Sequence, residues 1–226
     1  MTNSINKSII IVFTISDRRT RKYLTPMELT NFGNNYNFVA ISQDFQCTFS
    51  SEMIKDDIIQ CNEDCSIHNV EIDPAVLKVA RNYFNFIEND AVTSSVQDGR
   101  IFIKRAAIKK QKYDWIILDA FNGDYIPEHL LTKEFFEEVK SVLAEGGVIA
   151  ANTFSSSKLY EHESATYHAV FGDFINVSRA NRSNRIILAG VNSMPTEAQI
   201  NQRIKALNPR LKKYDVDLKA ISTYMQ

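Results

Sequence analysis

The chain has 226 residues and a mass of 25.8 kDa, the length of one domain with room for a small appendage. Its 26 Lys and Arg residues nearly balance 27 Asp and Glu residues, and 44% of all residues are hydrophobic, which argues against a polyanion-binding or disordered chain. Glycine is scarce: an average content of about 7% would give about 16, whereas the chain has 7, with none between Gly33 and Gly99. This argues against a glycine-rich phosphate loop in that stretch.

The first 66 residues contain few regular patterns. Residues 8–24 predict a separate β-hairpin that turns at Asp17-Arg18-Arg19. Residues 37–41 are expected to form the first strand of the main domain and residues 49–59 its helix, because the distance to the next strand suits one β-α-β step. The apolar run at residues 9–13 is too short to span a bilayer and is followed by no cleavage pattern, so we expect a cytoplasmic protein without a membrane segment.

From residue 67 onward, short apolar runs alternate with helical patterns, which is typical of an α/β layer fold. The expected strands are residues 67–72, 91–97, 113–119, 148–153, 174–177 and 185–191. Helices are expected after Pro74, after Asp98-Gly99, and over residues 132–143 and 159–171. Gly146-Gly147 is expected to end the helix over residues 132–143. The last two strands are joined by a short polar turn and must pair antiparallel. The sequence therefore predicts a mostly parallel sheet that ends in an antiparallel hairpin.

Three parts of the chain follow from these patterns. Residues 1–36 would form an N-terminal β-hairpin region and residues 37–191 a central α/β domain. Residues 192–226 would form a C-terminal tail of two helices, which separate near Asn208-Pro209.

Acidic residues follow three of the predicted strands where each strand ends. Glu71 and Asp73 close the first of these strands, Asp98 the next and Asp119 the third. Ligands of open parallel sheets bind at the carboxyl ends of the strands, where one carboxylate can accept both hydroxyls of a ribose and another an adenine amino group. Each acid taken singly is explained equally well as a helix cap. Their recurrence at one edge favours a nucleoside site.

Five segments in this order resemble spermidine synthase and its relatives. They are VEIDPAV at 70–76, DGR at 98–100, YDWIILDAF at 113–121, IPEHLLT at 126–132 and GGVIAANT at 146–153. The resemblance implies a class I methyltransferase-like Rossmann fold that binds an adenosyl donor, preceded by a small β domain. It also implies transfer of an aminopropyl group from decarboxylated S-adenosylmethionine to a diamine such as putrescine, a step of polyamine biosynthesis.

The same resemblance implies roles for particular residues. Glu71 would bind the donor ribose and Asp98 with Gly99 the adenine, and Asp73 would also belong to the donor site. Asp119 would be the active-site acid, since a carboxylate must orient the attacking amine and accept its proton. The acceptor amine would lie near Asn122, Asp124 and Tyr125. The donor is a co-substrate, so no tightly bound cofactor and no metal is expected.

Two departures from the family pattern keep other functions open. Residues 42–47, where the family carries a glycine-rich loop after the first strand, contain no glycine, and Asn122 stands where aminopropyltransferases carry a second aspartate. An enzyme of the polyamine aminopropyltransferase type is favoured. The alternatives are a degenerate, non-catalytic member that acts as a binding or oligomer partner, and an S-adenosylmethionine-dependent methyltransferase.

Other patterns indicate no further chemistry. Four residues are potential zinc ligands, namely Cys47, Cys61, Cys65 and His68, but His68 falls inside a predicted strand. The three cysteines come without other disulfide signals, which suits a reducing compartment. Residues 178–213 hold eight Arg and Lys residues against one acid, without the aromatic residues or motif of a nucleic-acid site. We expect a solvated face or an oligomer contact there, and a homodimer that binds neither nucleic acid nor membrane.

Overall fold

The computed structural model describes residues 7–15, 37–38, 49–50, 65–83, 86–90, 92–121, 125–156, 158–179, 183–211 and 217–226. The strands of its main sheet are β1 (Lys7–Ile15), β2 (Cys65–Glu71), β3 (Val92–Val96), β4 (Tyr113–Phe121), β5 (Leu143–Phe154), β6 (Ile175–Ser178) and β7 (Asn184–Gly190). The α-helices are α1 (Pro74–Tyr83), α2 (Gly99–Ile108), α3 (Lys133–Val142), α4 (Tyr160–Phe171), α5 (Glu197–Leu211) and α6 (Leu218–Ser222). Strands and helices alternate from β2 to α4, which confirms the α/β prediction.

The seven strands of this sheet lie in the order β3-β2-β1-β4-β5-β7-β6. The five strands from β3 to β5 are parallel, whereas β7 runs antiparallel to both β5 and β6. The predicted parallel sheet with a final antiparallel hairpin is therefore confirmed. Because β2, β1 and β4 are adjacent and parallel, their carboxyl ends meet at one edge of the sheet.

The first strand of the sheet is β1, and the prediction that residues 37–41 form it is wrong. In the register of β1, Ile9 pairs with Ile67 on one side and with Trp115 on the other. Asn37–Phe38 instead pairs antiparallel with Phe49–Ser50 in a separate two-stranded sheet. The prediction of a helix over residues 49–59 is therefore wrong at its start, because Phe49–Ser50 is a strand. A continuous apolar run, as at residues 9–13, is what a central parallel strand needs.

This placement also corrects the predicted hairpin over residues 8–24. Its first half is β1, an interior strand of the main sheet between β2 and β4, so residues 1–36 are not a separate hairpin region. The first strand consequently ends at Ile15, so the segment that follows it in the chain begins at residue 16, not at residue 42. Residues 16–36 and 42–47 lie outside the described residues.

Helices α3 and α4 pack on the sheet and form the main core with β4 and β5. The side of the sheet where the carboxyl ends of the parallel strands meet is called the carboxyl edge below. The Thr132 hydroxyl accepts a hydrogen bond from the Phe135 backbone N–H at 3.2 Å and thereby begins α3 as predicted. Phe135 and Phe136 are fully buried, and the ring of Phe136 lies 4.2 Å from that of Tyr167, centroid to centroid. This pair joins α3 to α4, and both helices share one core cluster with Ile116 of β4 and Ile149 of β5.

The prediction that Gly146-Gly147 ends α3 is wrong. The helix ends at Val142 and β5 begins at once, with a register shift against β4 between Tyr113 and Trp115. Gly146 has φ of 73°, and a Cβ at Gly147 would lie 3.0 Å from backbone atoms. The glycines are therefore needed for an irregular, closely packed start of β5, because pairing with β4 takes over directly where the helix stops.

The C-terminal tail forms two helices, but they do not separate at Asn208-Pro209. Helix α5 continues through Pro209 and ends at Leu211. Asn208 Oδ1 accepts a hydrogen bond from the Leu218 backbone N–H at 2.7 Å, and Leu218 packs against Ile204 in a small second core. Among the described helices, none has the length and apolar character to cross a membrane.

Candidate functional site

Two of the predicted acids lie at the same level on either side of β1. Phe13 pairs with Glu71 of β2 and, on its other side, with Asp119 of β4. Residues in register on parallel strands project to the same face, and strands are about 4.8 Å apart. Glu71 and Asp119 therefore lie on one face of the sheet, with their Cα atoms separated by roughly 10 Å.

Glu71 is a buried carboxyl group with one free oxygen. Its side chain is 0% exposed, and Oε1 accepts a hydrogen bond from the Asp73 backbone N–H at 2.8 Å. Oε2 is buried with no partner among the described residues. Burial raises the pKa of Glu71 to about 7 even though the Asp73 N–H favours the ionised form. An unsatisfied buried acceptor of this kind is destabilising, and a hydroxyl donor placed against it would satisfy it.

Asp73 serves the following helix. Its Oδ1 accepts a hydrogen bond from the Ala75 backbone N–H at 2.8 Å, and its carbonyl oxygen accepts one from the Val76 N–H at 3.1 Å. These contacts make it the residue that begins α1. Binding of the ligand by its remaining oxygen stays a prediction.

The carboxylate of Asp98 is engaged through both oxygens. Oδ1 accepts a hydrogen bond from the Ile101 backbone N–H at 3.0 Å and caps α2, whose first residue, Gly99, is buried. Oδ2 lies 2.9 Å from His129 Nε2. Around these residues, at the ends of β2 and β3 and in the first turn of α2, the apolar side chains of Ile72, Val96 and Ile101 are exposed. Exposed apolar groups beside a carboxylate suit the faces and the amino edge of a purine.

Asp119 belongs to a chain of polar side chains across the sheet. Asn152 Nδ2 donates to Asp119 Oδ1 at 2.9 Å, and Asn184 Nδ2 donates to Asn152 Oδ1 at 3.0 Å. Burial raises the pKa of Asp119, although the bond from Asn152 acts in the opposite direction. A higher pKa makes the carboxylate a better proton acceptor. Asn152 was not predicted, yet a polar residue in the apolar segment 148–153 was a visible signal.

A buried ion pair supports the strands that carry the two asparagines. Arg185 is 1% exposed, and its Nη2 lies 2.9 Å from Glu163 Oε2. Its Nε donates to Thr153 Oγ1 at 2.9 Å, and its guanidinium lies 3.8 Å from the centre of the Tyr160 ring. Because Thr153 and Arg185 directly follow Asn152 and Asn184 in the chain, these contacts fix the ends of both strands.

The segment after Asp119 is described in part. Asn122 and Asp124, predicted to contact the acceptor, lie outside the described residues, and Tyr125 is 53% exposed. The chain then forms a short 3-10 helix, Glu128–Leu130. Arg100 holds this helix to α3, since it donates to the His129 carbonyl at 3.0 Å and to both carboxylate oxygens of Glu138.

One residue of the rival zinc site, His68, has other partners in the structure. Both ring nitrogens of His68 are bonded, Nε2 to Ser95 Oγ and Nδ1 to Thr93 Oγ1, each at 2.8 Å. Within the described ranges no three His, Cys, Asp or Glu residues form a metal-binding group. Cys47 and Cys61 fall in parts of the chain that the structure does not describe.

Known proteins resemble this chain in sequence and in fold. The chain is 47% identical to a polyamine aminopropyltransferase of Vibrio vulnificus (strain CMCP6) over 157 residues, which is 69% of this chain and 52% of that protein. It is 40% identical to an N-terminal histidine N-methyltransferase of Emericella nidulans over 93 residues, 40% of this chain and 16% of that protein. The chain thus spans about half or less of the length of these relatives.

Human methyltransferase-like protein 13, solved in complex with SAH, superposes on the fold with a TM-score of 0.66. The two are 20% identical, and the match covers 92% of this chain and 83% of that one. This confirms the class I methyltransferase-like fold. Residues 43–179, more than half of the chain, match the Spermine/spermidine synthase domain. The chain therefore belongs to the spermine/spermidine synthase domain family.

Proposed function

We propose that the protein transfers an aminopropyl group from decarboxylated S-adenosylmethionine to a diamine. The observation that carries the proposal is the placement of Glu71 and Asp119 on one face of the carboxyl edge, one with a free buried oxygen and the other a half-buried base. The similarity to a polyamine aminopropyltransferase supports the choice of reaction.

In this proposal the donor lies along the edge from β3 to β4. Its adenine packs on the exposed apolar side chains near Asp98, and its ribose hydroxyls donate to Glu71. The roughly 10 Å between Glu71 and Asp119 leaves room for the sulfonium and its aminopropyl arm. The acidic edge also attracts the two cationic substrates.

The chemical step is a direct displacement. The acceptor nitrogen uses its lone pair to form a bond to the aminopropyl carbon next to sulfur. At the same time the bond between this carbon and sulfur breaks, and the electron pair of the broken bond moves to sulfur. The sulfonium becomes the neutral thioether 5′-methylthioadenosine. Asp119 orients the amine and takes the proton that the nitrogen loses. Asn152 holds the Asp119 carboxylate by one oxygen and leaves the other for the amine.

Methyl transfer from S-adenosylmethionine is a second candidate, favoured by the 93-residue match to an N-methyltransferase. The two donors differ in one carboxylate, and residues 16–36, which follow β1 in the chain, lie outside the described residues. A non-catalytic binding role is the third candidate. A cytoplasmic location and a homodimer stay predictions.

The test is to incubate the purified chain with each donor and putrescine and to identify products by mass spectrometry. We expect 5′-methylthioadenosine and an aminopropylated amine from the decarboxylated donor. Asp119→Asn should lower this turnover at least about 100-fold and leave donor affinity within about threefold, because the Asn152 contact is kept. A methylated product would establish the second candidate. Donor binding without turnover would establish the third, and no binding of either donor would refute the proposal.

A further inference from the structure

The contact between Asp98 and His129 joins two loops of the site. His129 follows Asp98 by 31 residues and lies on the 3-10 helix after β4, while Asp98 ends the loop after β3. The Asp98 side chain is 26% exposed and that of His129 is 48% exposed. The pair is therefore at the surface of the edge, where a ligand can reach it.

The backbone of His129 is held independently of its ring. Arg100 Nη1 donates to the His129 carbonyl at 3.0 Å and lies 3.3 Å from Thr132 Oγ1. The same guanidinium is bonded to both carboxylate oxygens of Glu138, at 2.9 and 3.0 Å. Bidentate pairs of this kind have a fixed geometry. The imidazole of His129 is thus presented to Asp98 from an anchored position.

This anchoring decides how the Asp98 carboxylate is oriented. With only its bond to the Ile101 N–H, the carboxylate could still rotate about its terminal torsion, which has broad preferences. The second bond, at Oδ2, fixes its plane. Each carboxylate oxygen has two acceptor positions, so Oδ2 keeps one free for a further donor.

We propose that His129 is a positioning residue for the donor: it fixes the Asp98 carboxylate so that the free position on Oδ2 accepts the adenine amino group. The inference rests on the proposed function, in which Asp98 faces the adenine. It also connects residues 125–132, which follow Asp119, to donor binding. Since coupling between sites is reciprocal, donor binding would in turn hold this segment in place.

The test compares two nucleosides in calorimetric titrations of the full chain. One is 5′-methylthioadenosine, and the other is its analogue with hydrogen in place of the 6-amino group. His129→Leu should weaken binding of the first roughly three- to tenfold, the loss expected for one partly exposed hydrogen bond to a charged group, and leave the second unchanged. His129→Gln, whose amide can donate at a similar reach, should restore affinity to within about twofold of the wild type.

Two controls separate positioning from a general structural effect. His162→Leu, at an exposed position of α4, should change neither affinity. In an Asp98→Ala background, His129→Leu should have no further effect, because its partner is already removed. Equal losses for both nucleosides, or no rescue by glutamine, would overturn the inference while the proposed function stands. If the wild-type chain binds neither nucleoside, the proposed function fails and this inference fails with it.

Discussion

Replacement of Glu71 by glutamine should change how stability depends on pH. Burial moves the pKa of this carboxyl from 4.5 to about 7, so the folded state binds more protons than the unfolded state between these values. Linkage then makes the free energy of unfolding fall as pH rises through that window. At 1.36 kcal/mol for each pKa unit, the fall due to Glu71 is about 3 kcal/mol, complete by about pH 8.

Urea unfolding at several pH values between 4.5 and 8.5 measures this effect. Trp115, the single tryptophan, is buried in β4 and reports unfolding by its fluorescence. The wild-type free energy of unfolding should decrease by about 3 kcal/mol more than that of Glu71→Gln over this range. The comparison uses the change with pH, because a buried amide also adds a pH-independent cost.

Glu161→Gln is the matched control, since Glu161 is an exposed residue of α4. It should keep the wild-type pH profile. If the wild type and Glu71→Gln have parallel profiles, then Glu71 is not held in a buried site with a raised pKa, and the reasoning fails. For the ligand the expectation is opposite in sign: a nucleoside should bind more tightly as pH rises through about 7, because the ionised carboxylate accepts both ribose hydroxyls.

Three further substitutions test the parts that support the site. Asn152→Ala should lower turnover roughly tenfold with little effect on donor affinity, because Asp119 loses the bond that orients it; steady-state and binding assays check this. Arg185→Met should lower the free energy of unfolding by about 3 kcal/mol, since it leaves Glu163 buried without its partner. Urea unfolding measures this loss, and a decrease of less than about 1 kcal/mol would refute the prediction. Gly147→Ala should destabilise by about 1–3 kcal/mol, because its Cβ would meet backbone atoms at 3.0 Å; an unchanged melting temperature would contradict this.

Local chemistry made the fold from β2 onward predictable. The continuous apolar run at residues 115–118 indicated a strand covered on both faces, and Pro74 begins a helix in the structure as expected. The capping side chains of Asp98 and Thr132 likewise stand directly before the helices that they begin. Such signals depend on neighbours a few residues away, and for that reason they can be read from the chain.

The N-terminal strand was placed wrongly because its position depends on distant partners. Residues 9–13 have the apolar character of a central strand, but β1 pairs with strands that lie about 50 and 100 residues further along the chain. A short run followed by Asp17-Arg18-Arg19 is equally compatible with a local hairpin. Only the register with both neighbours distinguishes these two arrangements.

Local sequence patterns predict acids at or near the ends of three strands and Asp98 at the start of a helix, because strand ends and helix caps are local features. What those acids can do depends on the assembled sheet. The tertiary structure set Glu71 and Asp119 on one face, left an oxygen of Glu71 without a described partner, and joined Asn152 to Asp119 and His129 to Asp98. These pairs lie 33 and 31 residues apart, so their contact depends on how the sheet is assembled and on no local pattern.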